Sequence, residues 1–307
     1  MSNLKSYEYV IAIAQKGGIS QAAEALSLAQ PTLSKYIKKL EEDLGVELLD
    51  RSTIPIRLTE AGACYVETGR RLIDLQHQLQ KQLQEIKSSK STCIRVGISP
   101  SRSPYLMPFI VDAYRKINPN AKIIIKERNI AELNQMLARG DLDLIISLLD
   151  EESQAFERMD LFEEDLTVAL PQTLWYEGIT ALDALKSTTL ISVGQGLTLW
   201  QTMHEILKTL GIHAPDIECQ SIESALSLVR RGIGATILPS YVFQYGAGEQ
   251  NRSICFLPLP TEQYPQWEKT YRRQVCLFYR KEQFLTEAER QFIACVRQEV
   301  QKKQANA

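Results

Sequence analysis

The residues near the start of the chain that are best suited to chemistry form a short run with three lysines and no acid. Between positions 31 and 40 the sequence carries Thr32, Ser34, Lys35, Lys38 and Lys39, and acids begin at position 41. Ammonium and hydroxyl groups in this pattern can contact phosphate oxygens and the edges of bases. Two plainer interpretations stay open: the lysines form a solvated helix face, and the two hydroxyls cap a helix locally.

A second set of polar residues lies where predicted strands run into predicted helices farther along the chain. Three serines and an arginine between positions 99 and 103 meet the start of a helix, which suits an anion such as a carboxylate. The residues that we predict to line a cleft for a small molecule are Ser99, Pro100, Ser101, Arg102, Ser103, Ser147, Gly194, Gln195, Leu197, Thr198 and Gly234. Each can also be an ordinary cap or turn residue, and Arg102 can instead pair with an acid.

Signatures of catalysis are absent from the sequence. It contains no GxSxG, P-loop, HExxH or dinucleotide-binding fingerprint, and its six cysteines and three histidines follow no metal-ligand spacing. The neighbouring acids Glu163 and Glu164 carry little weight, because the chain has 37 acidic residues. We therefore expect neither an enzyme nor a cofactor or metal site, and we expect the cysteines to be small core residues.

Composition indicates an ordinary globular protein. The 307 residues are 44% hydrophobic and 23% charged, and no apolar run approaches the roughly 20 residues of a membrane span. The N-terminus has no signal-peptide core, so we expect a cytoplasmic protein of two or three domains. Residues 1–90 contain 12 Lys and Arg against 11 Asp and Glu, which disfavours a nonspecific, charge-driven nucleic-acid binder and leaves room for a few placed contacts.

Hydrophobic periodicity predicts that the N-terminal segment is mostly helical. A helix over 4–15 ends at two glycines, a short helix over 21–26 takes Ser20 as its N-cap, and a third helix runs from Pro31 to Leu44. The predicted buried stripe of the third helix is Leu33, Ile37, Leu40 and Leu44. Two extended pieces follow at 47–51 and 56–58. This order predicts a helix-turn-helix with a two-stranded wing.

Residues 18–62 resemble the winged helix-turn-helix of LysR-type transcriptional regulators. The matching runs are Gly18–Ala23, Leu26, Gln30–Ser34, Ile37–Glu41, Leu44–Gly45, Leu48–Arg51 and Leu58–Gly62. Gly18, Ala29 and Leu49 depart from the family's usual residues at core or turn positions. The DNA-binding residues that the resemblance implies are Ser20, Gln30, Pro31, Thr32, Ser34, Lys35, Lys38, Arg51 and Arg57. Those from Gln30 to Lys35 would face the major groove, while Lys38 and the arginines would hold phosphates or the flanking minor groove.

A long helix is predicted from Thr59 to about Lys87. Its apolar line is Ala61, Tyr65, Leu72, Leu75, Leu79, Leu83 and Ile86, and the last five follow a 3,4,4,3 spacing close to a heptad seam. A long helix with one narrow apolar stripe favours pairing with a second copy, although the stripe can also pack within its own domain. In the resembling family this linker helix forms the dimer.

The remaining residues alternate strands with helices, which predicts an α/β fold with largely parallel sheets. They resemble, more weakly, the two-lobed periplasmic-binding-protein-like effector domain of the same family, best over 140–146 and 231–239. The expected fold is therefore multi-domain α + α/β, with an N-terminal winged helix-turn-helix, a long linker helix and a C-terminal two-lobed α/β periplasmic-binding-protein-like (type 2) domain. The predicted domains are the DNA-binding domain (1–58), the linker helix (59–91), lobe 1 (92–163 plus 268–303) and lobe 2 (164–267).

The resemblance implies a LysR-type, sequence-specific DNA-binding transcriptional regulator that an anionic small-molecule effector controls from between the two lobes. The expected partners are double-stranded DNA with paired half-sites, a second copy through the linker helix, a tetramer, RNA polymerase and the small molecule, but no membrane. An intracellular solute-binding protein without a DNA role is one alternative. A thiol-redox sensor is another, although thiol-sensing members carry a cysteine in the loop corresponding to 194–198 and this chain has none there.

Overall fold

The structure, a computed structural model, describes residues 4–87, 93–194, 198–245, 253–260, 264, 273–281 and 283–305. The chain divides into two compact units, residues 1–87 and 88–307, and each is described by itself. The predicted cleft residues Gln195 and Leu197 lie outside the described residues, as does the side chain of Thr198. Within the described residues, no helix is both long enough and apolar enough to cross a membrane.

Three short helices form the core of the first unit: α1 (Leu4–Lys16), α2 (Ile19–Ala25) and α3 (Gln30–Leu44). The predicted role of Ser20 as an N-cap is wrong. Helix α2 begins one residue earlier, and Gly18 caps it with extended backbone and no side-chain hydrogen bond. Ser20 therefore lies inside the first turn, where its side chain is exposed.

Helix α3 carries Pro31 in its first turn and ends at Gly45, whose φ of +69° is the left-handed conformation that favours glycine. Leu33, Ile37 and Leu40 are buried against α1, α2 and the wing, as their spacing predicts. Leu44 is 43% exposed, so its predicted place in the stripe is wrong. It is the last helical residue, and the core that covers the helix ends one turn before it.

The wing consists of two very short antiparallel strands, β1 (Leu49–Asp50) and β2 (Arg57–Leu58). Thr59 follows directly and joins the wing to the next helix, α4 (Glu60–Lys87). Its hydroxyl donates to the carbonyl oxygen of Glu47 at 2.6 Å and accepts from the N–H of Gly62 at 3.0 Å. This contact fixes the start of α4 against the wing, because the threonine caps one element and bonds the other.

The second unit contains ten strands and seven α-helices among its described residues. The strands are β3 (Cys93–Ile98), β4 (Lys122–Glu127), β5 (Leu144–Leu148), β6 (Glu157–Glu164), β7 (Leu166–Pro171), β8 (Ile191–Val193), β9 (Ile217–Cys219), β10 (Thr236–Pro239), β11 (Ile254–Pro258) and β12 (Arg273–Tyr279). The helices are α5 (Ser103–Ile117), α6 (Ile130–Ala138), α7 (Ala181–Ser187), α8 (Thr198–Thr209), α9 (Ile222–Arg230), α10 (Tyr241–Tyr245) and α11 (Glu287–Ala305).

The strands form three sheets, one in lobe 1 and two in lobe 2. The first has the order β4-β3-β5-β12-β6, the second has the order β10-β7-β11, and β8 and β9 form a separate pair. The prediction of largely parallel sheets is only partly right. Strands β3, β4 and β5 are parallel, but β12 is antiparallel to its neighbours and β7 is antiparallel to both of its own. Only Asp165 separates β6 from β7, so the chain passes between the lobes there without the crossover helix that parallel neighbours require.

The chain passes between the first and second sheets at two places. It leaves the first sheet at Glu164, the last residue of β6, and enters the second at Leu166, the first residue of β7. It returns after β11 and re-enters the first sheet at Arg273, the first residue of β12. Because Arg273 and Glu164 are register partners in the β12–β6 ladder, both passages meet at one point.

Candidate functional site

The exposed face of α3 carries the residues predicted to contact DNA. Gln30, Pro31, Thr32, Lys35 and Lys38 are exposed, and Ser34 is half-buried. Leu33 and Ile37 on the opposite face are fully buried, so the packing of α3 fixes which face points outward. Neither Thr32 nor Ser34 caps α3, because the N-cap residue is Ala29 and makes no side-chain hydrogen bond.

A buried glutamate joins α3 to the wing, a role that its sequence position does not reveal. Glu41 is 7% exposed, and its Oε1 accepts the backbone N–H groups of Leu48 at 2.8 Å and Leu49 at 3.1 Å. Its Oε2 lies 2.5 Å from the Nη2 of Arg51. One carboxylate therefore orients the first wing strand relative to α3, here called the recognition helix because it carries most of the residues predicted to contact DNA.

The two wing arginines differ in their surroundings. The side chain of Arg51 is 41% exposed and is paired with Glu41, so part of its hydrogen-bonding capacity serves the fold. Arg57 is exposed on β2, where it stands opposite Asp50 in the ladder. Ser52 donates two hydrogen bonds to Asp50, and these lower the pKa of that carboxyl. Arg57 is thus the freer of the two to meet a phosphate.

Replacing Lys35 tests the direct reading of bases by α3. We expect Lys35→Ala to narrow the difference in affinity between operator and random DNA by about 1–3 kcal/mol, because a lysine contact with a base edge is lost. Fluorescence anisotropy with both DNAs measures that difference. Lys5→Ala removes the same charge from α1 and should leave the difference unchanged; an unchanged difference in Lys35→Ala would rule out this contact.

A cavity opens in the second unit where the two lobes face each other. It has a volume of about 110 Å³, and a smaller one of about 60 Å³ adjoins it through Pro100, Ser101 and Ile222. Its wall contains Ser99 to Arg102 from lobe 1, as predicted, and is otherwise mainly apolar. The further lining residues are Asn129, Ile130, Leu148, Leu199, Ile222, Pro239, Tyr241 and Arg273. A pocket of this kind suits a small molecule with an apolar body and one polar end.

Arg102 pairs with an acid, the alternative that its sequence position left open, and that acid is buried and not at the surface. Its Nη2 lies 2.7 Å from Oε1 of Glu164, and its Nη1 donates to the hydroxyl of Ser99 at 3.1 Å. The Nη2 of Arg273 lies 2.6 Å from the same Oε1. Burial lowers and Glu164 raises the pKa of Arg102, with a net rise, whereas burial and the neighbouring Arg102 lower that of Arg273. Two guanidinium groups therefore share one carboxylate in the cavity wall.

Four other residues predicted for the cleft lie outside the lining of both cavities. Ser103 begins α5, and Ser147 is fully buried on β5 with no hydrogen-bond partner for its hydroxyl. Gly194 is buried beside Cys219 and Gln220. At Gly234 a Cβ atom would lie 2.1 Å from the carbonyl oxygen of Thr189, so this glycine permits close backbone packing.

Sequence reasoning missed Glu164, Arg273 and Tyr241. The hydroxyl of Tyr241 donates a hydrogen bond to the carbonyl oxygen of Ser101 at 3.1 Å, and the Arg102 guanidinium lies 5.4 Å from the centre of the Tyr241 ring. Burial raises the pKa of Tyr241 to about 12, so it remains a neutral donor. Their place in the sequence was the signal that could have identified two of them. Glu164 and Arg273 both fall close to the predicted lobe boundaries, where charged side chains can meet because the chain passes between the lobes at both.

A winged helix-turn-helix with an exposed basic helix, joined in one chain to a two-lobed unit with a cavity, defines the class of ligand-responsive DNA-binding regulators. Comparison with known families agrees. The family described as "Bacterial regulatory helix-turn-helix protein, lysR family" matches residues 4–63, and the "LysR substrate binding domain" matches residues 87–301. The chain belongs to the LysR family of transcriptional regulators, and both the resemblance and the expected fold class are confirmed.

The similarity to individual relatives extends over most of the chain. The "Hydrogen peroxide-inducible genes activator" of Dickeya chrysanthemi is 28% identical over 284 residues, which cover 91% of this chain and 89% of the relative. The "DNA-binding transcriptional dual regulator OxyR" of Escherichia coli K12 is 29% identical over 242 residues, 78% of this chain and 79% of the relative.

Solved structures show the same fold. A full-length OxyR variant from Pseudomonas aeruginosa aligns with a TM-score of 0.67 at 23% identity, covering 98% of this chain and 95% of that one. Full-length CbnR complexed with its target DNA aligns with a TM-score of 0.62 at 21% identity, covering 97% and 99%. At these identities the structural likeness concerns the fold and not the ligand.

Proposed function

We propose that this LysR-type regulator binds operators with paired half-sites as a homodimer, and that a small anionic effector in the cleft controls this binding. The cavity that both lobes line, with two guanidinium groups in its wall, is the observation that carries the effector half of the proposal. A ligand that prefers one arrangement of the lobes shifts the population toward it, and DNA binding changes through that shift. The proposal requires a small-molecule effector and no cofactor, and the setting it assumes is the cytoplasm.

The exposed leucines of α4 support the proposed dimer. Leu72, Leu75, Leu79 and Leu83 are between 38% and 59% exposed, although their spacing is that of a coiled-coil seam. Burying this row against its copy would remove apolar surface from water and pair two recognition helices. Association of dimers into a tetramer and contact with RNA polymerase complete the proposal, and both rest on family membership alone.

Gel-shift measurement with the DNA immediately upstream of the gene tests the proposal against a solute-binding protein without a DNA role. We expect a complex that survives excess random DNA, together with two protected half-sites spaced by whole helical turns. The match of residues 4–63 to a DNA-binding family favours this outcome. Equal affinity for upstream and random DNA would refute sequence-specific regulation.

The names of the relatives raise peroxide sensing as a competing proposal, and the thiols of this chain weigh against it. Burial raises the pKa of Cys219, Cys255, Cys276 and Cys295. For Cys276 the value reaches about 12, because burial is reinforced by a hydrogen bond to Asp160. A raised pKa keeps a thiol protonated at neutral pH, and the thiolate is the species that reacts with peroxide.

Alkylation of the native full-length protein tests this assignment. At neutral pH we expect iodoacetamide to label Cys64 first, since it is exposed, and Cys276 last, as followed by mass spectrometry. Mild peroxide should leave operator affinity unchanged. Rapid labelling of a thiol in the second unit, or a peroxide-dependent change in DNA affinity that a Ser variant at that cysteine removes, would support redox sensing instead.

A further inference from the structure

Three charged residues in contact with one another at the cavity do not balance. Arg102, Glu164 and Arg273, here called the hinge triad, combine two guanidinium groups with one carboxylate. All three are at least nine-tenths buried as side chains. Buried charges are stable when they are paired, so the surplus positive charge favours a negative partner from outside the triad.

One donor of the hinge triad has no hydrogen-bond partner among the residues that the structure describes. The Nε–H of Arg273 is buried and makes no hydrogen bond in the structure, while the Nη2 of the same side chain is bound to Glu164. Arg273 lines the cavity together with Arg102 and Ser99. A buried donor without an acceptor is unfavourable, so the Arg273 guanidinium retains hydrogen-bonding capacity for an anion that enters the cavity this residue lines.

We infer that the cavity binds a small monocarboxylate whose carboxylate accepts hydrogen bonds from Arg273 at the hinge triad. This inference rests on the proposed function and specifies the effector's chemistry. The volume of about 110 Å³ is smaller than the roughly 150 Å³ of a cavity that holds benzene, so the body is short. The walls are Ile130, Leu148, Leu199, Ile222 and Pro239, which suit a carbon chain better than an inorganic ion.

Glu164 sets the charge of the ligand. A monocarboxylate brings the hinge triad and its ligand to electrical balance, since two positive groups then face two negative ones. A dianion would place its second charge near Glu164 in a poorly solvated site, where like charges repel strongly. The carboxylate of Glu164 therefore selects against dicarboxylates and sulfate.

The position of the hinge triad explains how ligand binding can depend on the arrangement of the two lobes. Glu164 is the last residue of β6 and Arg273 is the first of β12, so both stand where the chain passes between the sheets. Arg102 caps the start of α5 in lobe 1, and Tyr241 of lobe 2 bonds the backbone of Ser101 beside it. An anion at this point contacts groups from both passages, and its binding energy differs between lobe arrangements.

Thermal unfolding of the full-length protein with butyrate and with butyramide tests the inference. The two probes have the same shape and differ in charge, and a ligand that binds the folded state stabilises it by RT ln(1 + [L]/Kd), which raises the melting temperature. We expect butyrate to raise it increasingly with concentration, and butyramide, succinate and sulfate to need at least about tenfold higher concentrations for the same shift, as the loss of a charge-assisted hydrogen bond implies.

Two variants localise the site. Arg273→Gln leaves Arg102 paired with Glu164, so the protein should fold while its affinity for butyrate falls about tenfold or more. Arg158→Gln is the matched control, because Arg158 lies on β6 and is half-exposed beside Asp160, away from the cavity lining. Its response to butyrate should equal that of the wild type.

Three results would overturn the inference: no wild-type response to butyrate, an equal response to butyramide, or an unchanged response in Arg273→Gln. Operator binding in a gel shift, measured on the same preparations, separates this failure from failure of the proposed function. If a neutral molecule stabilises the protein and alters the operator complex, ligand-controlled DNA binding is supported and the inferred monocarboxylate ligand is wrong. If the upstream DNA binds no better than random DNA, the proposed function itself fails.

Discussion

Glu41→Ala is expected to release the wing from the recognition helix and to abolish operator binding. The substitution leaves the buried N–H groups of Leu48 and Leu49 without an acceptor, at a cost of about 2–4 kcal/mol. It also frees Arg51 from its partner. Hydrogen exchange of the full-length protein should show the amides of 48 and 49 losing protection by about 30-fold or more. Anisotropy titration of the same variant should show that operator affinity falls together with this protection.

The neighbouring residue supplies the control. Glu42 is exposed, so Glu42→Ala removes the same charge without removing a buried acceptor. It should leave exchange at 48 and 49 unchanged, and its effect on DNA affinity should be small. Glu41→Gln keeps one acceptor oxygen and should fall between the two. Normal protection in Glu41→Ala would show that the carboxylate does not hold the wing.

Introducing two charges into the leucine row of α4 is expected to convert the dimer into monomers. Leu75→Asp combined with Leu79→Asp would place four carboxylates in the proposed seam, and like charges cannot be buried there without partners. Sedimentation should give the mass of a single chain. Operator affinity should fall by two orders of magnitude or more, on the order of the advantage that linked half-sites provide.

A register-shifted pair tests whether the leucine face itself matters. Gln76→Asp with Gln80→Asp has the same spacing and charge on a neighbouring face of α4, and it should leave both mass and affinity near those of the wild type. A monomeric wild-type protein that binds the operator tightly would contradict the proposed dimer. Equal effects of the two double variants would point to a general loss of helix stability.

The local features of the first unit were predictable because they depend on short-range rules. Periodic apolar residues, Pro31 in the first turn of α3 and Gly45 after its last turn place the recognition helix correctly. The features that were predicted wrongly or not at all are those that tertiary contacts determine. Glu41 reads as one of three consecutive acids, and only the folded wing shows that it accepts backbone hydrogen bonds.

In the second unit, the strand that sequence reasoning missed is β6. Its sequence Glu157–Glu164 is rich in acids and lacks clean alternation, because it lies at the edge of the first sheet where charged side chains prevent further pairing. The serines of the first loop were predictable from the strand-to-helix pattern. The hinge triad was not, since its members come from distant parts of the chain and meet only through the β12–β6 register.

A footprint of the dimer on its operator, with and without a ligand that raises the melting temperature, tests the central claim most directly. Ligand-controlled DNA binding predicts two protected half-sites, and it predicts that the ligand changes the protection of at least one of them or the cleavage between them. The Arg273→Gln protein should give one pattern under both conditions when butyrate is that ligand. A wild-type footprint that stays identical at saturating ligand would contradict the account.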